Sequence, residues 1–329
     1  MHLRLLGRRW AAALMALLLP LAAQADTAGS GTFPHAAVRV LVPNTPGSAA
    51  DVAARFVATR LAEAWQQPVT VENKAGAGGI VAADAVAKSA ADGHTLLLGA
   101  DGPITILPSL QAPLPYNPRR DLVPVVSLGE TDFVLVAHPR TGWQRLSDFI
   151  AAARREPGRI NYASAGNGSP QQFAMETLKQ AAGIHVTHIP YRGGPLGLSD
   201  VVAGQVELMF IAVGPALPHI RSGRLVALAS GGEQRHPLLP ELPTVAETYK
   251  GFRAGTWFGL FAPAGTPAAT VAAIAAQTHQ LLLQPQAQTE LAAQGIRATG
   301  YPADKFQGLV RQEADRFAAL VRTVGLKHE

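Results

Sequence analysis

Along this chain, short β-branched apolar runs alternate with stretches whose apolar residues recur at helical spacing, and Gly/Pro-rich turns separate the two. The segment AVRVLVPNTPGSAADVAARFVATRLAEAW, starting at Ala37, reads as strand, turn and amphipathic helix, with Phe56, Leu61 and Trp65 on or near the buried face. PVTVENKAGAGG then predicts a strand and a glycine turn, IVAADAVAKSA a helix, and HTLLLGADG a third strand. The alternation stops at LPYNPRRDLVPVVSLGETDFVLVAHP, where strand follows strand. It restarts with the helix LSDFIAAARREPG, the strand INYAS, a helix from Ser169, the strand HVTHIPY, the helix GLSDVVAGQ, the strand VELMFIAV, a helix near ALPHIRSG and the strand LVALAS. TWFGLFAPAG has the character of the earlier strand FVLVAHPR, and two helical stretches follow, from about Pro267 and about Pro302.

This order predicts an α/β fold of two doubly wound lobes joined by two crossing strands, each lobe built on parallel sheet with right-handed crossovers. Residues 36–137 and 257–329 are expected to form lobe 1, and residues 138–256 lobe 2. Two crossings make a hinge, and a hinge between two α/β lobes makes a cleft.

The first residues change the picture of compartment. Arg4, Arg8 and Arg9 precede an apolar stretch from Trp10 to Ala23, and Ala23-Gln24-Ala25 is a small-residue cleavage pattern. Residues 1–25 read as a cleaved signal peptide, because the apolar stretch is shorter than the roughly 20 residues of a membrane-spanning helix. Residues 26–35 read as a flexible lead-in. The formal charge is +5, from 28 basic and 23 acidic residues. Cleavage removes three arginines and no acid, leaving +2, so the basic balance is no argument for nucleic acid, and no Lys/Arg run interleaved with aromatics supports one. The chain has no cysteine, which excludes a disulfide framework and thiol chemistry. The compartment expected is the periplasm.

Candidate chemistry centres on INYASAGNGSPQQFAMETLKQAAG, residues 160 to 183. Ser169 at N-cap, Pro170 at the first helical position and Gln172 at the third form a capping box. Capping explains those three residues alone. Gly166-Asn167-Gly168 is more glycine than a cap requires, and glycines after a strand let backbone approach a ligand at a helix start. Both readings stand at this point. Enzyme readings find less support. In GAGGIV, residues 76 to 81, Val81 stands where a dinucleotide fingerprint has its third glycine, and the string follows the second strand rather than the first, so it reads as a turn. No Gly-x-Ser-x-Gly elbow occurs in the mature chain. His185 and His188, three apart in a predicted strand, point to opposite faces and read as surface or strand-edge residues, not metal ligands. Asp51 reads as an acid complementing the first helix dipole, and Trp257 and Phe258 as core.

Taken together, VLVPNTPGSAADVAARF, VENKAGAGGIVAADAVAKSAADGHTLLLG, LPYNP, INYASAGNGS, HIPYRGG, GQVELMF, LPHIRSGRLVALA, LPTVAE and WFGLFAPAGTP resemble, in register from about Val38 to the C-terminus, the Bug/TctC-type solute-binding receptors of tripartite tricarboxylate transporters. The resemblance implies a periplasmic two-lobe "Venus flytrap" of the type II periplasmic-binding-protein class. It implies a monomer with no catalytic residues, metal or cofactor, which captures a small carboxylate and delivers it to membrane permease subunits. The ligand is held largely by backbone amides, hydroxyls and water. Carried onto this chain, the site is the loop Pro43 to Ala50 with Asn44, Thr45, Gly47, Ser48 and Ala49, then Ala100 to Ile104 with Asp101 and Gly102. The second lobe adds Ala165, Gly166, Asn167, Gly168 and Ser169, the turn Tyr191, Arg192 and Gly193, and Ile211. The agreement with the rule that ligands sit beyond the carboxyl ends of parallel strands is independent of the resemblance.

Departures from the family pattern bear on the ligand. Asn44 replaces an aromatic, Ser48 a second glycine, Ala50 a common hydroxyl residue, Ile211 a frequent Asp and Pro170 a frequent Thr or Ser. Ile211 and Pro170 make one side more apolar, which points to a monocarboxylate with an apolar or aromatic body. Asp101 is expected to bring negative charge near the cleft and to pair with a ligand amine. A ligand-sensing receptor for a membrane signalling partner uses the same cleft, and a periplasmic enzyme would need a nucleophile, base or metal site that the sequence does not offer.

Overall fold

The computed structural model describes residues 33–110 and 113–324. The signal peptide expected at residues 1–25 and most of the expected lead-in lie outside the described residues. Phe33 to His35, assigned to the lead-in from sequence, are packed: the Phe33 ring meets Trp65 edge-on at 5.7 Å and tilts on His94 at 5.1 Å. Burial of that aromatic surface starts the ordered chain at Phe33 rather than after residue 35.

The first lobe opens with β1 (Val38–Val42), α1 (Ala49–Trp65), β2 (Val69–Asn73), α2 (Ile80–Ala87) and β3 (Thr95–Ala100). Asp101 leads into a π-helical turn, Gly102–Ile106, that continues into α3 (Leu107–Ser109), and α4 (Pro118–Asp121) precedes the 16-residue β4 (Leu122–Ala137). The second lobe runs α5 (Leu146–Arg155), β5 (Asn161–Ser164), α6 (Pro170–Ala182), β6 (Thr187–Pro190), α7 (Gly194–Val202), β7 (Leu208–Ala212), α8 (Val213–Arg221), β8 (Val226–Ser230) and α9 (Val245–Thr248). The chain returns through β9 (Gly255–Pro263) to α10 (Ala268–Leu282), α11 (Pro285–Ala293), β10 (Arg297–Ala298) and α12 (Ala303–Val324).

β2, β1 and β3 are parallel, as are β6, β5 and β7. The crossing strands depart from the all-parallel expectation: β9 is antiparallel to β3 and β4, and β4 is antiparallel to β7 and β8. A strand that leaves one lobe and runs on into the other has to oppose the strands it joins in at least one of them. β4 pairs with β9 up to Asp132 and with β7 and β8 from Phe133. The change of sheet thus lies inside the strand, before the boundary at residue 137 read from the sequence, which is where the strand ends.

Side-chain alternation shows why the strands sit between two helical layers. Val38, Val40, Val42, Leu96, Leu98, Phe133, Leu135, Phe210, Phe258 and Leu260 face one continuous core shared with α1, α5, α6 and α10. Leu41, Leu97, Trp257 and Phe261 face a second core with α2 and α12, and Val134, Val136, Met209 and Ile211 a third with α7 and α8. The sequence predicted two helices after β9 where the structure has three. Pro285 cannot continue α10 and opens α11 instead. α12 packs Phe306 against Trp257 and Phe261 in the first lobe, and Phe317 edge-on to Phe173 of α6 in the second, at 5.5 Å.

Gly259 on β9 lies directly under the Phe306 ring, and a Cβ there would also stand 2.9 Å from the Val126 carbonyl oxygen. Gly259→Ala is therefore expected to lose about 1–3 kcal/mol through overpacking, seen as a lower urea midpoint at unchanged slope.

Candidate functional site

A cavity of about 410 Å³ lies where loops from the two lobes meet. β1 delivers Asn44, Thr45, Ser48 and Ala49, β2 the glycine turn Gly76 to Ile80, and β3 Gly102, Pro103 and Leu107. β5 delivers Ala165, Gly166, Asn167, Ser169, Pro170 and Gln171, and β6 Tyr191 to Pro195. Ile211 and Ala212 end β7, while Phe133, Thr256 and Phe258 come from the crossing strands. Each of these loops follows the carboxyl end of a parallel strand, so the right-handed βα connection places a helix N-terminus beside it.

Five N-termini reach the lining in this way: α1 through Ser48 and Ala49, α2 through Gly79 and Ile80, α6 through Ser169 and Pro170, α7 through Gly193 and Gly194, and α8 through Ala212 and Pro215. Ser48 Oγ caps Asp51 N and Ser169 Oγ caps Gln172 N, whereas α2, α7 and α8 have no side-chain cap. Their first amides lack intrahelical acceptors and carry the positive end of the dipole. Arg192 is the one charged side chain of the lining among the described residues. Leu107, Phe133, Ile211, Phe258 and six prolines (Pro43, Pro103, Pro170, Pro190, Pro195 and Pro215) supply apolar surface.

Of the residues expected from sequence, Asn44, Thr45, Ser48, Ala49, Gly102, Ala165, Gly166, Asn167, Ser169, Tyr191, Arg192, Gly193 and Ile211 come together on this lining. Gly47, Asp101 and Gly168 do not. Gly47, at φ 78°, gives its amide to Asp51 Oδ2 at 3.0 Å and so shapes the first loop from behind. Gly168, at φ 73°, gives its amide to Gln172 Oε1 at 2.8 Å and lies against Leu107 of the other lobe. The Asp101 side chain is buried behind the cavity, with Oδ2 taking the Trp257 amide at 3.4 Å. Burial raises its pKa to about 7, Glu313 of α12 adds to the rise, and Arg316, Thr256 and the Trp257 amide oppose it. It faces β9 and α12, so the negative charge expected at the cleft, and its pairing with a ligand amine, have no support in this geometry.

The acid that opens α1 is also turned away from the cavity. Asp51 takes Asn73 Nδ2 on Oδ1 at 2.8 Å and pairs with Arg55, while Asn73 Nδ2 also reaches the Asn44 carbonyl at 3.0 Å. Burial would raise its pKa, but the bonds from Arg55, Gly47 and Asn73 outweigh it and hold the carboxylate below its usual range. It therefore clamps the first loop as well as complementing the dipole.

Sequence reasoning missed three features. The Gly76–Ile80 turn, read as a plain turn, lines the cavity, and its position after a parallel strand was the available signal. Gln171 lines it too, and its Oε1, like Asn44 Oδ1 and Thr45 Oγ1, is buried without a hydrogen-bond partner among the described residues. His188, read as a surface or strand-edge residue, is half-buried: its ring stacks on Tyr162 at 4.9 Å, its Nε2 is 2.6 Å from Ser164 Oγ and its Nδ1 3.3 Å from Gln172 Nε2. The expected capping box is half made. Ser169 Oγ takes the Gln172 amide, but the Gln172 side chain goes to Gly168 and His188. Ser164 is fully buried and absent from the lining, so its contact with His188 offers no nucleophile to the cavity. Among the described residues no three His, Asp or Glu side chains gather as metal ligands.

The chain matches the family described as tripartite tricarboxylate transporter family receptor over residues 53–326. It belongs to that family. BugT of Bordetella pertussis is 34% identical over 317 residues, covering 96% of this chain and 97% of that protein. A UPF0065 protein from the tcbD-tcbE intergenic region of Pseudomonas sp. strain P51 is 35% identical over 291 residues, covering 88% and 86%. Among solved structures, R. palustris Rpa4515 with adipate superposes with TM-score 0.86 at 28% identity, covering 90% of this receptor and 99% of that chain. MatC from Rhodopseudomonas palustris with bound malate gives 0.82 at 33% identity, covering 88% and 100%. The fold is that of the family's periplasmic binding proteins, and the family's members are solute-binding receptors.

The two lobes touch across the cavity. Gly193, at φ 133°, packs on Thr45: a Cβ there would overlap Thr45 Oγ1 and stand 2.8 Å from Cγ2. Gly193→Ala is expected to hold the lobes apart and weaken ligand binding at least tenfold, a loss of about 1.4 kcal/mol, with a larger radius of gyration in small-angle scattering. Adding Thr45→Ala, which removes Oγ1 and Cγ2 and leaves Cβ 3.2 Å away, is expected to restore part of the loss.

Burial lowers the pKa of His188 to about 4, with Glu176 raising it and Lys179 lowering it. The unfolded imidazole binds its proton near 6.5, so between the two values the unfolded state holds more protons. The stability gained by burying it neutral is complete above about pH 6.5 and is lost as pH falls toward 4. Urea titrations across that range are expected to show a slope that His188→Ala reduces.

Proposed function

We propose that this receptor is exported to the periplasm, captures a small carboxylate between its lobes and delivers it to a membrane permease. The observation that carries the reading is the lining itself: five helix N-termini and Arg192 face the cavity, with no lining carboxylate among the described residues. Each dipole contributes roughly 0.3–1 kcal/mol toward an anion, and each charge-assisted hydrogen bond about 1.5–3 kcal/mol. A few such bonds, less the cost of association, reach the roughly 8 kcal/mol of micromolar affinity. Relatives described with adipate and with malate support a carboxylate as the ligand class. Among the described residues no helix is long and apolar enough to cross a membrane, and the delivery proposed is to separate membrane subunits.

The groups proposed to hold the carboxylate are the amides of Asn44, Thr45 and Ala49 and the hydroxyls of Thr45 and Ser48 in the first loop, and the Asn167, Gly193 and Gly194 amides with the Ser169 hydroxyl in the second lobe. Arg192 supplies the matching charge. Ile211, Phe133, Phe258 and Pro170 would take the rest of the ligand, which favours a monocarboxylate with an apolar or aromatic body over a ligand carrying several charges.

A thermal-shift panel of benzoate, hexanoate, adipate, malate and citrate on the mature chain tests this. A ligand at about 100 times its dissociation constant adds roughly 2.7 kcal/mol, a rise of a few degrees. The expected order is monocarboxylates first and citrate last. Citrate giving the largest shift would overturn the apolar-body assignment, and no shift from any acid would overturn the carboxylate reading.

A further inference from the structure

The geometry points to His188 as the positioning residue that fixes the shape of the Gly166–Ser169 loop, through a hydrogen-bond chain admitting one tautomer; the inference rests on the reading of that loop as ligand wall. The chain can be assigned from its fixed ends. The Gly168 amide can only donate, so the Gln172 oxygen it meets at 2.8 Å must be Oε1, which turns Nε2 toward His188. Gln172 Nε2 can only donate, so His188 Nδ1 accepts and the ring proton sits on Nε2. From there it is given to Ser164 Oγ at 2.6 Å. Ser164 Oγ also accepts the Gly166 amide at 3.0 Å and directs its own proton to the Gly166 carbonyl at 3.2 Å.

Two glycines that flank Asn167, at φ 120° and 73°, are thereby tied to each other through three side chains on two strands and a helix. Their amides are spent internally, and the Ser169 amide goes to the Gly166 carbonyl at 3.1 Å. The loop is left to offer the ligand its Asn167 amide, the Asn167 side chain and the Ser169 hydroxyl proton. Such groups bind well only if held in place beforehand, since ordering a glycine-rich loop on binding costs affinity.

A protonated His188 would carry a hydrogen on Nδ1 facing the Gln172 Nε2 hydrogens, and the chain would break between them. The charged and titratable groups around the ring are Tyr162, which stacks on it and donates to Glu176 Oε1 at 2.6 Å, Glu176 itself, and Lys179, paired to Glu176 at 2.7 Å. Burial outweighs the Glu176 carboxylate and keeps the ring neutral at pH 7.

Nitrogen-15 NMR of the imidazole at pH 7 is expected to show the proton on Nε2 and a bare Nδ1; a proton on Nδ1 would overturn the assignment. Gln172→Glu places a carboxylate at Nδ1 and is expected to move the His188 titration upward by at least one pH unit, and an unmoved titration would contradict the chain. His188→Ala is expected to speed amide exchange at Gly166 and Gly168 at least tenfold, with Ala163 and Met209 in the adjoining strands unchanged. A uniform rise at all four, or none, would mean that His188 does not act on the loop. With adipate as probe, the same variant is expected to bind at least tenfold more weakly than wild type, and equal affinity would overturn the positioning role. Wild-type protein that does not bind adipate would count against adipate as a ligand for this receptor, whereas the imidazole spectrum and amide exchange judge the chain on their own.

Discussion

The molecule depends on one constraint, the change of pairing partner within β4 between Asp132 and Phe133. A single strand long enough to serve two sheets, roughly 50 Å at about 3.3 Å per residue, ties the lobes together while leaving each its own parallel set. The carboxyl ends of β1, β2 and β3 then face those of β5, β6 and β7 across one space, and every crossover brings a helix N-terminus to it. Phe133 and Phe258 sit at the crossings and form part of the lining. Hinge, cavity and electrostatics therefore follow from one topological feature.

That arrangement makes a positive site almost without positive side chains. The backbone supplies the field through helix ends, three of them without a side-chain cap, and the nearby acids are turned away from the cavity: Asp51 is spent on Arg55, Gly47 and Asn73, and Asp101 is buried toward β9 and α12. The two main loops are held from behind by different means, the first by an ionised carboxylate and the second by a neutral imidazole. Glycines at the lobe contacts, Gly193 against the Thr45 side chain and Gly78 against the Asn167 carbonyl, let the two lobes approach closely. A Cβ at either position would act on closure before it acted on the ligand.

Much of this was legible in the chain. Regular alternation of strand and helix gave the two lobes, while most of the lining residues came from the family resemblance, in agreement with the rule that ligands sit beyond the carboxyl ends of parallel strands. What was not legible depends on distant partners. Nothing near Asp101 shows that its side chain will turn behind the cavity to take the Trp257 amide. His188 reads as a strand-edge histidine until Ser164 and Gln172, 24 and 16 residues away, close on its two nitrogens. The antiparallel setting of β4 and β9 escaped for the same reason, since strand direction is fixed by the sheet and not by the strand's own residues.

Backbone dipoles and Arg192 are proposed to hold a negatively charged head group. Calorimetric titration with a carboxylate and its matched carboxamide, benzoate against benzamide and hexanoate against hexanamide, tests it most directly. The acids are expected to bind and each amide, equal in shape but uncharged, to bind at least tenfold more weakly, with the difference shrinking in Arg192→Ala. Equal affinity for acid and amide would contradict it.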